Sequence, residues 1–264
     1  MTSLDEIKAL IAQKELFIFD LDGTLFNTLG DLAPAVNYAM TQFGLHTHCN
    51  DDVRTFIGNG SMNLIRRAVV ANFIPVASTR DMEKVAETLA RENYSEEKIK
   101  EIHKVYSDFY WEHCTENTEP YEGVVEVIKR IANENRDGDC AVFNRDENHA
   151  GTRCAAMLTN KPVAPAQKIL KKFGLENSFA TYLCGDTTPE RKPSPAGINE
   201  ILRQTGIAPE KAIMIGDDTP DVLAAKNAGI DCITLFEGFG KAENLLPLEP
   251  RYTAGHIKDF AEFI

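Results

Sequence analysis

The sequence predicts an α/β fold: a parallel sheet flanked by helices and interrupted after its first strand by an all-helical insert of roughly residues 28 to 116. Three observations carry this. Short apolar runs alternate with amphipathic segments through the C-terminal half, as in consecutive right-handed βαβ units. From Asp31 to about Cys114 the chain has helical periodicity and no strand pattern. Finally, the apolar runs end in polar groups, where an open parallel sheet gathers its ligands.

The elements follow in order. "SLDEIKALIAQKE" is helical, with Leu4, Ile7, Leu10 and Ile11 on one face. Leu16 to Phe19 is the first strand. In the insert, "DLAPAVNYAMTQFG" is a helix stopped by Gly44, and "GSMNLIRRAVVANF" is another with Ser61 as its cap. "STRDMEKVAETLARENYSEEKIKEIHKVYSDFYWEHC" forms one long or two shorter helices. After "TENTEP" come a helix (GVVEVIKRIANE), a strand (CAAMLTN), a helix stopped by Gly174, and a strand (FATYLCGD). The chain closes with the helix PAGINEILRQTG, the strand AIMIGDD, the helix DVLAAKNAG and the strand DCITLFEG. The expected domains are therefore 1–27 with 117–264 as the α/β core and 28–116 as the insert. One stretch, about 133 to 153, is too long for a helix-to-strand connection. Within it, Cys140 to Phe143 either pairs with Arg153 to Leu158 as a hairpin or lies in a surface loop.

Composition narrows the function. The 264 residues are 43% hydrophobic, enough for a substantial core, and Lys+Arg 28 against Asp+Glu 40 gives a net charge of −12. Such a chain repels nucleic acid and acidic membrane surfaces, so any attraction for an anionic substrate must be local. The six cysteines form no CxxC pair, which fits reduced thiols in a cytoplasmic protein. No apolar run approaches membrane-spanning length, and no leader is expected at the start.

The strand ends carry the chemistry. The first delivers Asp20 and Asp22, "CAAMLTN" delivers Thr159 and Asn160, the loop after "FATYLCGD" carries Lys192, and "AIMIGDD" delivers Asp217, Asp218 and then Asp221. Two like charges ending a greasy strand are costly unless a cation joins them. Asp20, Asp22 and Asp217 are the candidate ligands of Mg²⁺, whose preference is for hard oxygens. Asp20 is the candidate nucleophile and Asp22 the acid and base. Thr159 and Lys192 are placed to hold phosphoryl oxygens. Thr24 is expected to fix Asp22 through its hydroxyl and, with Asn160, to line the substrate site. Asp221 is expected to support Lys192 or a water on the metal. The "GNGS" loop offers Asn59, Gly60 and Ser61 to a small acid at a helix N-terminus.

Taken together, "DLDGTL" (20–25), "LTN" (158–160), "RKPSP" (191–195) and "GDDTPD" (216–221) resemble the four motifs of the haloacid-dehalogenase superfamily of phosphohydrolases. The resemblance implies a Rossmann-like core with a small helical cap, a Mg²⁺ cofactor, a small phosphorylated metabolite as substrate and an aspartyl-phosphate intermediate. "VRTFIGNGSMNLIRRAV", "PYEGV" and "CGDTTPERKPSP" most resemble phosphoglycolate phosphatases. A monomer or homodimer is expected. A β-phosphoglucomutase-like mutase, a metal-free dehalogenase and a silent regulatory protein on the same scaffold are the alternatives. The mutase would require polar cap groups for a hexose, the dehalogenase would have no use for an acid/base at Asp22 or for Asp217, and the intact acid, threonine, lysine and aspartate set argues against a silent protein.

Other readings are plainer. Asp218 is expected to cap the helix starting near Pro220, and Lys161 to be a surface charge. At most one of Arg66 and Arg67 should face the site. "HTHC" (46–49) is read as a cap loop and not a zinc site, His103 and His113 as surface or interface groups, and Tyr110 and Trp111 as packing.

Overall fold

A computed structural model describes residues 2–134 and 153–264. The suggested hairpin through Cys140–Phe143 falls outside these residues. The chain forms two compact units, one from Met1–Asn27 with Glu119–Ile264 and one from Thr28–Thr118.

The strands are β1 (Leu16–Phe19), β2 (Phe26–Asn27), β3 (Glu119–Pro120), β4 (Cys154–Leu158), β5 (Thr181–Leu183), β6 (Ala212–Gly216), β7 (Asp231–Leu235) and β8 (Tyr252–Ala254). The α-helices are α1 (Leu4–Ile11), α2 (Leu29–Gln42), α3 (Asn50–Phe56), α4 (Ser61–Val70), α5 (Met82–Arg91), α6 (Glu96–His113), α7 (Val124–Glu134), α8 (Val163–Lys172), α9 (Ala196–Thr205), α10 (Thr219–Ala228) and α11 (Ala242–Leu245).

Six strands form one sheet in the order β5-β4-β1-β6-β7-β8. Every pair in it is parallel. β1, β4 and β6 are buried throughout, which explains why they read as continuous apolar runs and not as alternating ones. Their side chains divide between two cores. Phe17, Phe19, Met157, Ile213 and Ile215 pack with residues of α1, α7 and α8 on one face. Leu16, Ile18, Ala156, Leu158 and Met214 pack with residues of α9 and α10 on the other. The central β1 is thus clamped from both sides, and its C-terminal end is rigid.

Two features of this unit escaped the sequence reading. β8 completes the sheet edge, yet only Ala254 of its three residues is buried and it carries no apolar run. β2 and β3 form a separate antiparallel pair, Phe26 opposite Pro120 and Asn27 opposite Glu119, too short to leave a pattern.

The Thr28–Thr118 unit is helical. Its long polar segment makes two helices, α5 and α6, because Asn93 takes a left-handed φ of 59° between them and Ser95 caps the second by accepting from the Lys98 N–H. The short α3 was unforeseen: only Val53, Thr55 and Phe56 of its seven residues are buried, which is too few for a helical stripe. Arg67 is 3% exposed and is neither solvated nor free to face a site. Its guanidinium donates to the carbonyls of Phe56, Ile57 and Gly58. Arg66 instead pairs with Glu96 at 2.7 Å. Tyr110 is buried against Tyr106, as packing requires, but Trp111 is 41% exposed. In "HTHC", the His48 ring bonds the Ala68 carbonyl at 2.8 Å, a local packing contact. Among the described residues, no helix is long and apolar enough to cross a membrane.

Asp31 fastens the two ends of this unit. Buried to 2% exposure, its carboxylate accepts from the N–H and side-chain amide of Asn117 and from the N–H and hydroxyl of Thr118, at 2.7 to 3.1 Å. Asp31→Asn would turn an amide N–H toward buried donors. We expect it to lower unfolding stability by about 1–3 kcal/mol, read by urea denaturation.

Candidate active site

β1 contains no polar side chain, so the first one it can place beyond the sheet is Asp20. The Asp20 N–H still donates to the Ile215 carbonyl at 3.0 Å, extending the ladder to β6. The chain then turns at Gly23, whose φ of 88° suits glycine. A Cβ there would run into the Asp217 carboxylate.

β6 ends beside it. The Asp221 Oδ2 accepts from the N–H groups of Asp217 and Asp218 at 3.1 and 3.0 Å. Asp218 caps α10, accepting from the Thr219 N–H at 2.8 Å. Asp217 is held on both oxygens. Oδ1 accepts from the Thr24 hydroxyl at 2.7 Å, and Oδ2 from the N–H groups of Phe239 and Gly240 at 2.8 and 3.3 Å. The Phe239–Gly240 loop after β7 was missed by the sequence reading. Its signal was the Gly-Phe-Gly run, because a Cβ at Gly238 or Gly240 would collide with Asp217.

Lys192 closes the cluster. Its ammonium is 2.6 Å from Asp221 Oδ1 and 2.8 Å from Asp20 Oδ1, and the residue is 4% exposed. Apart from that ion pair, Asp20 Oδ1 is buried without a hydrogen-bond partner. Thr159 is 2% exposed. Its oxygen accepts from the Lys161 N–H at 3.2 Å, so its own proton remains available to an acceptor.

Several expectations need correction. Thr24 does not bind Asp22 and is fully buried; it orients Asp217 instead. Asn160 uses both ends of its amide on the backbone N–H and carbonyl of Lys192, each at 3.0 Å, and so positions that lysine. Lys161 is no surface charge: it is 6% exposed, with its ammonium 2.9 and 3.2 Å from the two Asp22 oxygens. The Asp22 carboxylate consequently stands apart from the converging trio Asp20, Asp217 and Asp221, each with a ligand atom within 4.8 Å of the others. Ser61 is not the cap of α4; Gly60 is, and the Ser61 hydroxyl meets His103 Nε2 at 2.9 Å. Asn59 (φ 60°) and Gly60 (φ 86°) precede α4 in the helical unit.

The electrostatics point to a missing positive charge. Burial pushes the Asp20 carboxyl up to about 7; Lys192 opposes this, while Asp221 and Asp22 add to it. Burial, then Asp221 and Asp20, raise Asp217 well above the usual carboxylate range. Burial alone would depress Lys192, but Asp20 and Asp221 outweigh it and push it up. One ammonium therefore faces three carboxylates. With the buried Asp20 Oδ1 met only by the Lys192 ion pair among the described residues, the cluster fits a hard divalent cation. Asp20, Asp217 and Asp221 each offer an oxygen; Asp20 and Asp217 are the candidates to hold it, with Asp221 Oδ1, 2.6 Å from the Lys192 ammonium, supporting that lysine.

Because Asp20 holds its proton below about pH 7, a cation must displace that proton. With Asp217 also raised, Mg²⁺ affinity should therefore tighten at least about tenfold per pH unit up to that point, with proton release in calorimetry. Constant affinity across pH 6 to 8 would contradict this arrangement. Thr24→Val should weaken Mg²⁺ binding about 10–100-fold in the same titration, because it frees Asp217.

Comparison with known proteins agrees with the geometry. A family model for haloacid dehalogenase-like hydrolases matches residues 14–229. The phosphoglycolate phosphatase of Psychrobacter arcticus is 31% identical over 237 residues, covering 90% of this chain and 90% of its own length. That of Vibrio parahaemolyticus is 28% identical over 250 residues, covering 95% and 96%. A crystal structure of a predicted phosphoglycolate phosphatase from Haemophilus somnus superposes with a TM-score of 0.74 at 26% identity, covering 95% of this chain and 97% of that one. A family match across most of the chain, joined to a cluster of carboxylates and lysine at the sheet's carboxyl edge, leads to one conclusion: the chain belongs to the haloacid dehalogenase-like hydrolase family.

Proposed function

We propose that this protein is a Mg²⁺-dependent phosphatase that hydrolyses the phosphomonoester of a small metabolite through an aspartyl-phosphate on Asp20. 2-Phosphoglycolate is the leading substrate, a reading supported by the names of the relatives. The observation that carries the chemistry is the buried Asp20 oxygen, ion-paired to Lys192 at 2.8 Å and grouped with Asp217 and Asp221. A carboxylate so placed is rigid, desolvated and ready to bond.

Each residue has a distinct task. Asp20 attacks phosphorus, and the ester P–O bond breaks as the new Oδ–P bond forms. Asp22 gives a proton to the departing alkoxide. Water then attacks the phosphorus, Asp22 takes its proton, and inorganic phosphate leaves as the Asp20 carboxylate is restored. The Thr159 hydroxyl donates to a phosphoryl oxygen, and Lys192 supplies charge to the oxygens where it accumulates. Asp20 and Asp217 would hold Mg²⁺, which when bound would supply the positive charge that lets a phosphate dianion approach a carboxylate.

The Thr28–Thr118 unit is assigned as the cap. Asn59, Gly60 and Ser61 open α4, whose N-terminal N–H groups suit the carboxylate of a phosphorylated acid. The free thiols of Cys49, Cys114, Cys154, Cys184 and Cys232 fit a reducing compartment such as the cytoplasm. We expect a small phosphoester as partner, no nucleic acid or membrane, and a monomer or homodimer.

Two experiments test the reading. A panel of phosphoesters assayed with Mg²⁺ and with chelator should give phosphate release only with the metal, fastest on 2-phosphoglycolate. Asp20→Asn should lose at least about 10³-fold in kcat with its circular dichroism spectrum and melting unchanged. Retained turnover in that variant would refute the nucleophile.

A further inference from the structure

His256 lies outside the cluster already described, on the segment that follows β8. Its ring stacks on Tyr121, with centroids 4.6 Å apart and planes at 31°. Its Nε2 is 3.2 Å from Glu237 Oε2. The neutral ring with its proton on Nε2 and the charged ring both serve that contact. The segment itself is fixed, because Asp259 Oδ2 accepts from the N–H groups of Gly255 and His256, both at 2.9 Å. Gly255 makes room for this corner: a Cβ there would meet Asp259 Oδ2 at 2.8 Å and Glu237 Oε1 at 3.0 Å.

Each contact of the ring leads to one side of Asp217. Glu237 stands in the same loop as the Phe239 and Gly240 N–H groups that hold Asp217 Oδ2, and its own N–H donates to the Gly255 carbonyl at 3.3 Å. Tyr121 donates its N–H to the Leu25 carbonyl at 3.0 Å. Leu25 follows Thr24, whose hydroxyl holds Asp217 Oδ1. One imidazole thus joins the two backbone segments that grip the two oxygens of a single carboxylate. We infer that His256 is a positioning residue for Asp217, bracing both arms of its clasp so that the carboxylate is already aimed at a cation. The inference rests on the reading of Asp20 and Asp217 as Mg²⁺ ligands. A carboxylate aimed in advance loses less freedom when the cation binds, so the brace acts on Mg²⁺ affinity and not on the chemical steps.

The Glu237 side chain is 60% exposed, so the ion pair is a weak tie and the stacked ring carries much of the brace. The expected loss is accordingly smaller than that for Thr24, which touches Asp217 itself. In calorimetry at fixed pH, His256→Ala should weaken Mg²⁺ binding about 3–10-fold. His256→Leu fills the space without a ring or a donor and should give the same loss if the alanine variant folds poorly. His256→Phe, which keeps a ring against Tyr121, should recover part of it. Combined with Thr24→Val, either loss should fall short of the product of the single losses, because both changes act through Asp217. At saturating Mg²⁺, kcat should stay within about twofold of the unaltered protein. A lowered melting temperature with unchanged Mg²⁺ affinity, or losses that simply multiply with that of Thr24→Val, would overturn the inference while the metal-dependent reading stands. No Mg²⁺ binding by the unaltered protein would remove both.

Discussion

Like charge crowded at the end of a buried strand is the constraint around which the catalytic unit is organised. Asp20, Asp217 and Asp221 converge within a few ångströms, and burial raises the cost of ionising Asp20 and Asp217. The fold answers with fixed partial charges and one whole charge. Backbone N–H groups from the Phe239–Gly240 loop and from the start of α10 face Asp217 and Asp221. Lys192 bridges Asp20 and Asp221. What remains uncompensated is negative charge, which suits a divalent cation.

This compensation binds distant segments into one cooperative piece. Asp221 joins the first turn of α10 to the Lys192 loop, and Asn160 joins that loop to the end of β4 through two hydrogen bonds. Thr24 joins the turn after β1 to the end of β6. Glycines at 23, 238 and 240 let backbone approach Asp217 where any Cβ would intrude. Each link is modest alone, but removing one leaves a buried charge misaimed or unsatisfied, which is where large effects arise.

The helical unit uses arginine differently. Arg67 and Arg80 place their guanidiniums on the carbonyls of Thr55, Phe56, Ile57 and Gly58. Those carbonyls are thus satisfied from within, and the following Asn59–Gly60 turn keeps the left-handed backbone that opens α4. Of the two arginines weighed as facing the site, Arg67 serves here as backbone support.

The local sequence determined the alternation of strand and helix, the place of the insert and the residue types at the strand ends. These follow from periodicity and from the polarity of short segments, which the chain expresses without its neighbours. Elements below that threshold, such as β8, β2–β3 and α3, carry too few apolar side chains to be seen. Tertiary structure alone decided which side chain meets which. Thr24 turned to Asp217 and not to Asp22, Asn160 to the Lys192 backbone, and Lys161 inward to Asp22, because each partner lies far away along the chain. Hydrogen bonding and ion pairing act over a few ångströms, and only the packed sheet sets those distances.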